Sequence, residues 1–323
     1  MIKTEVKLPW VEKYRPNKLD NVISHDHIVN TINKLIDSNK LPHMIYYGPP
    51  GSGKTTTILA CAKKIYDTNF NTMVLELNGS DDRGINVVRE QIKEFAGSKQ
   101  LFNSGVKLVI LDEADSMTYD AQFALRRVIE NYTYNTRFCL ICNYITKIIP
   151  ALQSRCTIFR FSPIKKKFIL NKLKDIVEIE NVKITDDAID AISTISEGDM
   201  RKAYNILQSV HMSFKNIEED NVYDCIGDPI PSDIHNILNA LITYDYVESY
   251  KYINKIKLKK GLALIDIIKY ISFKITDLQL NVKQYIDLIK NLAMIESNLT
   301  NSTTDNIQLC SLVGAFIKIR YIN

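Results

Sequence analysis

An α/β domain built on a parallel sheet, followed by an all-α remainder, is the fold class this 323-residue sequence predicts, and two observations carry it. Through the first half, short apolar runs of strand character at 43–47, 72–77, 106–111, 136–142 and 157–161 alternate with segments of helical periodicity. Such alternation is how a sheet covered by helices is written in sequence. After Pro163 the strand-like runs stop and only helical patterns remain.

The helical elements follow in order. Ile85, Val88, Ile92 and Phe95 recur at helical spacing and predict a helix over 85–96. A further helical segment spans 116–132, and 165–210 reads as short helices interrupted at Thr185 and at Glu197-Gly198. The turn-rich string Gly227-Asp-Pro-Ile-Pro231 then precedes a long helical stretch, periodic over 234–242 and 262–275. Three domains are expected: 1–162 as the sheet domain, 163–228 as a small helical domain and 229–323 as a second helical domain.

Composition bounds the function only loosely. Apolar residues make up 46% of the chain, as in a soluble globular protein, and the formal net charge of +4 is too mild to indicate nucleic-acid binding without a local cluster. No apolar run approaches the roughly 18 residues a membrane span needs, and the N-terminal stretch lacks the pattern of a secretory leader. The six cysteines are scattered, so reduced thiols are expected. Cys139 and Cys142 have the spacing of a metal motif, but residues three apart on a strand point to opposite faces, which makes them two small core residues.

Two motifs carry chemistry. Gly48-Pro49-Pro50-Gly51-Ser52-Gly53-Lys54-Thr55 is a complete P-loop, placed after a strand-like run and before a helical segment that contains Thr56. Its glycines let backbone N–H groups face phosphates, with the positive end of a helix behind them. Lys54 is then expected on the β and γ phosphates and the Thr55 hydroxyl on Mg²⁺. The apolar run at 108–111 leads straight into Asp112-Glu113-Ala114-Asp115 and so delivers carboxylates to the sheet edge where ligands bind. Asp112 is expected to hold Mg²⁺ through water and Glu113 to activate the attacking water, while Asp115 suits the cap of the next helix.

With these motifs stand the strings 8–16 (LPWVEKYRP), 76–84 (ELNGSDDRG), Ala124-Leu-Arg-Arg127 and Ser154-Arg-Cys156. Together they resemble the AAA+ small subunits of replication factor C, the eukaryotic and archaeal clamp loader, most closely over the first two thirds of the chain. The stretch 135–156 looks most like the subunit type called third in yeast and fifth in human nomenclature. The resemblance implies an AAA+ P-loop domain, a helical lid and a C-terminal helical collar that closes an oligomeric ring. It also implies ATP hydrolysis coupled to loading of the sliding clamp PCNA on primer-template DNA, in the nucleus, within a hetero-pentamer.

Several residue roles come with it. Asn143 matches the first sensor of the γ phosphate, Arg201 the second sensor, and Arg155 the arginine finger sent into a neighbouring subunit's site. Val11 and Ile23 match positions flanking the adenine, with Tyr14, Arg15 and Pro16 beside them. Arg83, Arg89 and Lys93 match a helix face that tracks a DNA backbone, and Arg126 and Arg127 match a pair that relays DNA binding to the acidic motif. Two other readings stay open: another AAA+ machine acting on DNA, such as a branch-migration helicase, and a subunit that binds nucleotide as a scaffold without turning it over.

Overall fold

Five strands pair in parallel in the order β2-β3-β4-β1-β5: β1 (Met44–Tyr47), β2 (Val74–Asn78), β3 (Lys107–Asp112), β4 (Thr136–Cys142) and β5 (Thr157–Arg160). The computed structural model describes residues 8–22, 24–38, 40–80, 85–98, 105–301 and 304–320. It divides into two compact units, Met1–Val182 with Ile192–Gln208 and Lys183–Ala191 with Ser209–Asn323.

In the first unit the sheet is accompanied by α1 (Trp10–Lys13), α2 (Asp26–Asp37), α3 (Lys54–Tyr66), α4 (Phe70–Met73), α5 (Ile85–Gly97), α6 (Tyr119–Tyr132) and α7 (Pro150–Gln153), and by helices that follow it in sequence. Alternation along the strands sorts the core into two faces. Met44, Tyr46, Leu108, Ile110, Cys139 and Ile141 pack with α2 and α3, through Val29, Ile32, Ile58 and Cys61. Ile45, Val109, Leu111, Phe138, Leu140 and Cys142 pack on the opposite side with Ile92 of α5 and with Leu125, Val128 and Ile129 of α6. Both faces being covered is why these strands read as unbroken apolar runs. Cys139 and Cys142 accordingly lie on opposite faces, and burial pushes both thiols up, that of Cys142 to about 12.

β4 matches the predicted run residue for residue, whereas the run at 72–77 divides. Thr72 and Met73 close the helical turn α4, because Phe70 and Met73, three apart, both face the core on that geometry; pairing begins at Val74. The helical segment predicted over 116–132 begins at Tyr119, after Thr118, whose hydroxyl accepts the Ala121 N–H.

Beyond the sheet come α8 (Lys166–Ile179), α9 (Asp186–Ile195), α10 (Met200–Ser213) and α11 (Glu219–Ile226). The interruption at Glu197-Gly198 is two successive left-handed residues, φ 51° and 89°. Gly227, φ 80°, ends α11 and Pro231 opens the next helix, each doing what its backbone favours. The second unit continues with α12 (Pro231–Thr243), α13 (Tyr246–Lys260), α14 (Leu264–Lys274), α15 (Val282–Thr300) and α16 (Asp305–Ile319). They enclose a core of their own that includes Ile237, Ile253, Ile267, Leu288, Leu309 and Leu312. No helix of the described residues is long and apolar enough to cross a membrane.

His43, one residue before β1, ties two strands together at their N-terminal ends. Its Nδ1 accepts the Phe138 N–H at 3.2 Å, and Nε2 lies 3.3 Å from the Thr133 hydroxyl. Burial, reinforced by the Arg137 charge, lowers its pKa from 6.5 to about 4. The unfolded chain therefore takes up a proton near pH 6.5 that the folded chain refuses until about 4, so the contribution is intact above 6.5 and is lost as pH falls. Between pH 7 and pH 5 denaturant titrations should show the wild type losing about 2 kcal/mol more stability than His43→Gln.

Candidate functional site

The loop between β1 and α3 is shaped by its glycines. Gly51 and Gly53 have φ of 62° and 93°, and a Cβ added at Gly51 would stand 1.6 Å from Asp199 Oδ1. Position 51 therefore needs glycine twice over, for its conformation and for the close approach of α10. The Gly51 carbonyl accepts the Met200 N–H at 3.3 Å, which ties the loop to the start of that helix.

Lys54 is nearly buried, 7% exposed, at the first turn of α3. Its ammonium donates to the carbonyls of Gly48 (2.8 Å) and Pro49 (2.9 Å) and to Asn143 Oδ1 (3.0 Å). Burial lowers its pKa, and the nearby Asp112 charge opposes that shift. The Thr55 hydroxyl donates to Asp112 Oδ2 at 2.8 Å. A hydroxyl and a carboxylate side by side are the hard oxygen donors that suit Mg²⁺.

Strand order makes these contacts possible. β4 lies between β1 and β3, so Asn143, directly after β4, falls between the P-loop after β1 and the acids that end β3. Ligands of open α/β folds collect at this edge. Glu113 has φ 51° and ψ 38°, a left-handed turn that breaks the chain away from the strand immediately after Asp112. Asp115 is not the cap the sequence suggests. Its Oδ2 accepts the N–H groups of Asn143 and Tyr144, both at 3.2 Å, and so fixes the end of β4 from the side of β3.

One cavity collects most of the predicted residues. Val11, Arg15, Pro50, Gly51, Ser52, Gly53, Lys54, Thr55, Thr56, Asp112, Glu113, Asn143 and Arg201 all line it. Gly48 and Pro49 act through their carbonyls on Lys54. Ile23 lies outside the described residues, and its neighbour Val22 lines the cavity. Ile164, Met200 and Tyr204 also line it and were not foreseen. Met200 and Tyr204 stand one turn apart on α10 beside Arg201, a helical spacing that was readable once Arg201 had been singled out. The segment carrying Val11 is anchored by Tyr14, whose hydroxyl donates to Glu180 at 2.5 Å, and by the Trp10 N–H, which donates to Gln208 at 3.0 Å.

Arg155 is not among the residues lining this cavity. Its Nη2 pairs with Glu130 at 2.6 Å and Nη1 donates to the Ala151 carbonyl at 2.8 Å. Arg126 shares the same carboxylate at 3.0 Å, and the two guanidiniums, Arg126 foremost, hold the Glu130 carboxyl below its usual range. Gln122, 2% exposed, braces the stretch of chain that runs from Asn143 to Arg155. It donates to the Met117 and Lys147 carbonyls and accepts the Ile149 N–H. Lys93 is exposed on α5, whereas Arg83 and the Arg89 side chain lie outside the described residues.

A P-loop whose lysine and threonine meet an amide and an acid from two neighbouring strand ends is the site of an AAA+ ATPase. Comparison with known proteins agrees and narrows the class. The family profile "ATPase family associated with various cellular activities (AAA)" matches residues 44–164, "RCF1/5-like, AAA+ ATPase lid domain" matches 171–212, and "Replication factor C C-terminal domain" matches 229–315. Human replication factor C subunit 5 is 53% identical over 310 residues, covering 96% of this chain and 91% of that protein. Replication factor C subunit 3 of Schizosaccharomyces pombe is 49% identical over 312 residues, covering 97% and 91%. Among solved structures, the Thermotoga maritima RuvB Holliday junction branch migration motor superposes with a TM-score of 0.53 at 18% identity, covering 77% of this chain and 86% of that one; at that identity the likeness is one of fold.

The chain belongs to the replication factor C family and is a nucleotide-binding ATPase subunit of the replication clamp loader, a multi-subunit assembly. The relatives' subunit numbers, fifth in human and third in fission yeast, agree with the subunit type that the stretch 135–156 resembles.

Asp115→Ala removes the acceptor of two N–H groups that position Asn143, while Asp115 itself does not line the cavity. Steady-state kinetics of the assembled complex should show turnover at this site falling about tenfold with the ATP KM changed less than about twofold.

Proposed function

We propose that this subunit binds ATP with Mg²⁺, that its hydrolysis is completed by a residue of a neighbouring subunit, and that the assembly loads PCNA on primer-template DNA in the nucleus. The convergence of Lys54, Thr55, Asp112 and Asn143 at three adjacent strand ends carries this reading. Lys54 exchanges its carbonyl partners for the β and γ phosphates, Thr55 and Asp112 take the metal, and Glu113 orients and deprotonates the attacking water. Asn143 holds that water or the γ phosphate, and Arg201 reports the γ phosphate to α10. Mg²⁺ supplies charge neutralisation across the phosphates.

Arg155 is assigned to the next subunit's site in a hetero-pentamer. Its engagement with Glu130 and Ala151 instead of its own cavity supports that assignment. The proposed organisation is an ATPase domain over 1–162, a lid over 163–228 and a collar over 229–323, in line with the three family matches. On α15 of the proposed collar, Val282, Ile286 and Ile289 are exposed at helical spacing, an apolar stripe of the kind that subunits bury. Tyr119 and Phe123, 66% and 50% exposed and one turn apart at the start of α6, form an aromatic pair suited to the clamp. Arg83, Arg89 and Lys93 are assigned to the DNA backbone, a contact that holds phosphates without reading bases.

Three measurements on the reconstituted complex test this. Glu113→Gln should retain nucleotide while turnover at this site falls by at least about a hundredfold, and Arg155→Ala should leave this site's nucleotide binding intact while slowing the adjacent subunit's hydrolysis. Unchanged hydrolysis with Arg155→Ala would remove the trans assignment. Lys93→Ala should weaken DNA binding equally across sequences and reduce the slope of log affinity against log salt by about 1.

A further inference from the structure

His25 has no role in the site as assigned above, yet it is built into it. It stands at the N-cap of α2 and makes no side-chain capping bond there. The ring turns inward instead, 6% exposed, with its centroid 4.8 Å from that of Phe161 and Nε2 at 3.1 Å from the Ser52 carbonyl oxygen. That oxygen can only accept, so Nε2 carries the hydrogen. Burial lowers the pKa of the ring and so favours its neutral form, and the Ser52 carbonyl oxygen places the one remaining proton on Nε2. Ser24, immediately before it, has φ 79°, a left-handed conformation unfavourable for serine. A strained residue followed by an inward-facing ring is a local arrangement that capping does not require.

The partner of His25 is a peptide between two glycines. Ser52 is flanked by Gly51 and Gly53, both left-handed, and a Cβ built at Gly53 would meet nothing within 4 Å. Glycine accepts either sign of φ, so nothing local stops the 52–53 peptide from turning over. The Ser52 hydroxyl donates to the Pro49 carbonyl at 2.7 Å, which ties the side chain and leaves the peptide plane free. A trans peptide is planar with its C=O and N–H opposed, so holding the Ser52 oxygen fixes the direction of the Gly53 N–H. Gly53 lines the cavity.

We propose that His25 is a positioning residue for phosphate binding: its Nε2–H holds the Ser52 carbonyl and thereby keeps the Gly53 N–H turned toward the nucleotide's phosphates. The proposal rests on the P-loop being the nucleotide site and adds a residue from outside the motif. The glycine that lets the backbone approach the phosphate also lets it flip, and the imidazole removes that second freedom. Because ADP and ATP both carry the β phosphate, the effect should be the same for both.

The full-length chain with Mg²⁺ and a fluorescent ADP or ATP analogue provides the test. His25→Phe keeps a ring against Phe161 and removes the donor; His25→Gln restores an N–H donor. His25→Phe should weaken both nucleotides about tenfold with the nucleotide-free melting temperature within about 2 °C of wild type, and His25→Gln should recover most of the affinity. Wild-type affinity in His25→Phe overturns the proposal, as does a loss of affinity that His25→Gln does not relieve. Should His25→Phe melt markedly lower, the wild-type protein decides: ¹⁵N imidazole shifts should place His25 in the Nε2–H tautomer and shift on ADP addition, and an Nδ1–H tautomer overturns the proposal. A wild-type chain that bound neither analogue would instead refute the nucleotide site itself.

Discussion

The position of β4 between β1 and β3 is the constraint on which the site depends. A P-loop and an acidic strand end are separate local motifs, and in a sheet ordered by sequence they would present their groups to different neighbours. Here the crossover brings Lys54 within 3.0 Å of Asn143 and Thr55 within 2.8 Å of Asp112. That placement needs a parallel sheet covered on both faces, because each crossing passes through a helix packed on one side or the other. The apolar alternation of Val109, Ile110 and Leu111 between two cores is thus a precondition for the chemistry at Asp112, the next residue but one beyond Ile110.

Burying Lys54 has a cost that the same arrangement offsets. An ammonium at 7% exposure loses most of its water, and the lowered pKa records that loss. Three oxygens within 3.0 Å and the Asp112 charge replace the solvent. Since two of these oxygens are neutral carbonyls of the P-loop itself, a phosphate that took their place would bring charge to a group already stripped of water. Exchange is therefore favourable without further desolvation of the lysine, which is the condition under which electrostatic binding is strongest.

The sequence made legible those features whose signal is local. The P-loop, the acids after β3 and the opposed cysteines each follow from a few consecutive residues and the periodicity of their element, whereas Asn143 at the end of β4 is marked by the family resemblance. Asp115 was misread because its partners, the Asn143 and Tyr144 N–H groups, lie 28 and 29 residues away, and a helix cap is what an acid at that spot does in isolation. His25 and Gln122 were missed for the same reason: a lone histidine or glutamine has no spacing to reveal which carbonyl it will meet. The boundary at Thr72–Val74 failed differently, since Phe70 and Met73 satisfy a helical turn and the following residues satisfy a strand, and only packing decides where one gives way.

Arg155 shows how a residue proposed to act on another chain can be kept in order on its own. A free guanidinium on a flexible stem would have to be immobilised at the moment of use, with the entropy loss falling on the reaction. Pairing with Glu130 and the Ala151 carbonyl meets part of that loss in advance, and Gln122 and Gln153 brace the segment between β4 and α7 that leads into the helix just before it, Gln153 through the Ile145 and Ile148 carbonyls. The pair is partly in water, 33% and 40% exposed, where ion pairs are screened and weak. A multiply charged phosphate in a drier cleft would outcompete a single carboxylate held at the surface. The same contact can therefore orient the guanidinium while the subunit waits and yield it when a neighbouring site presents its charge.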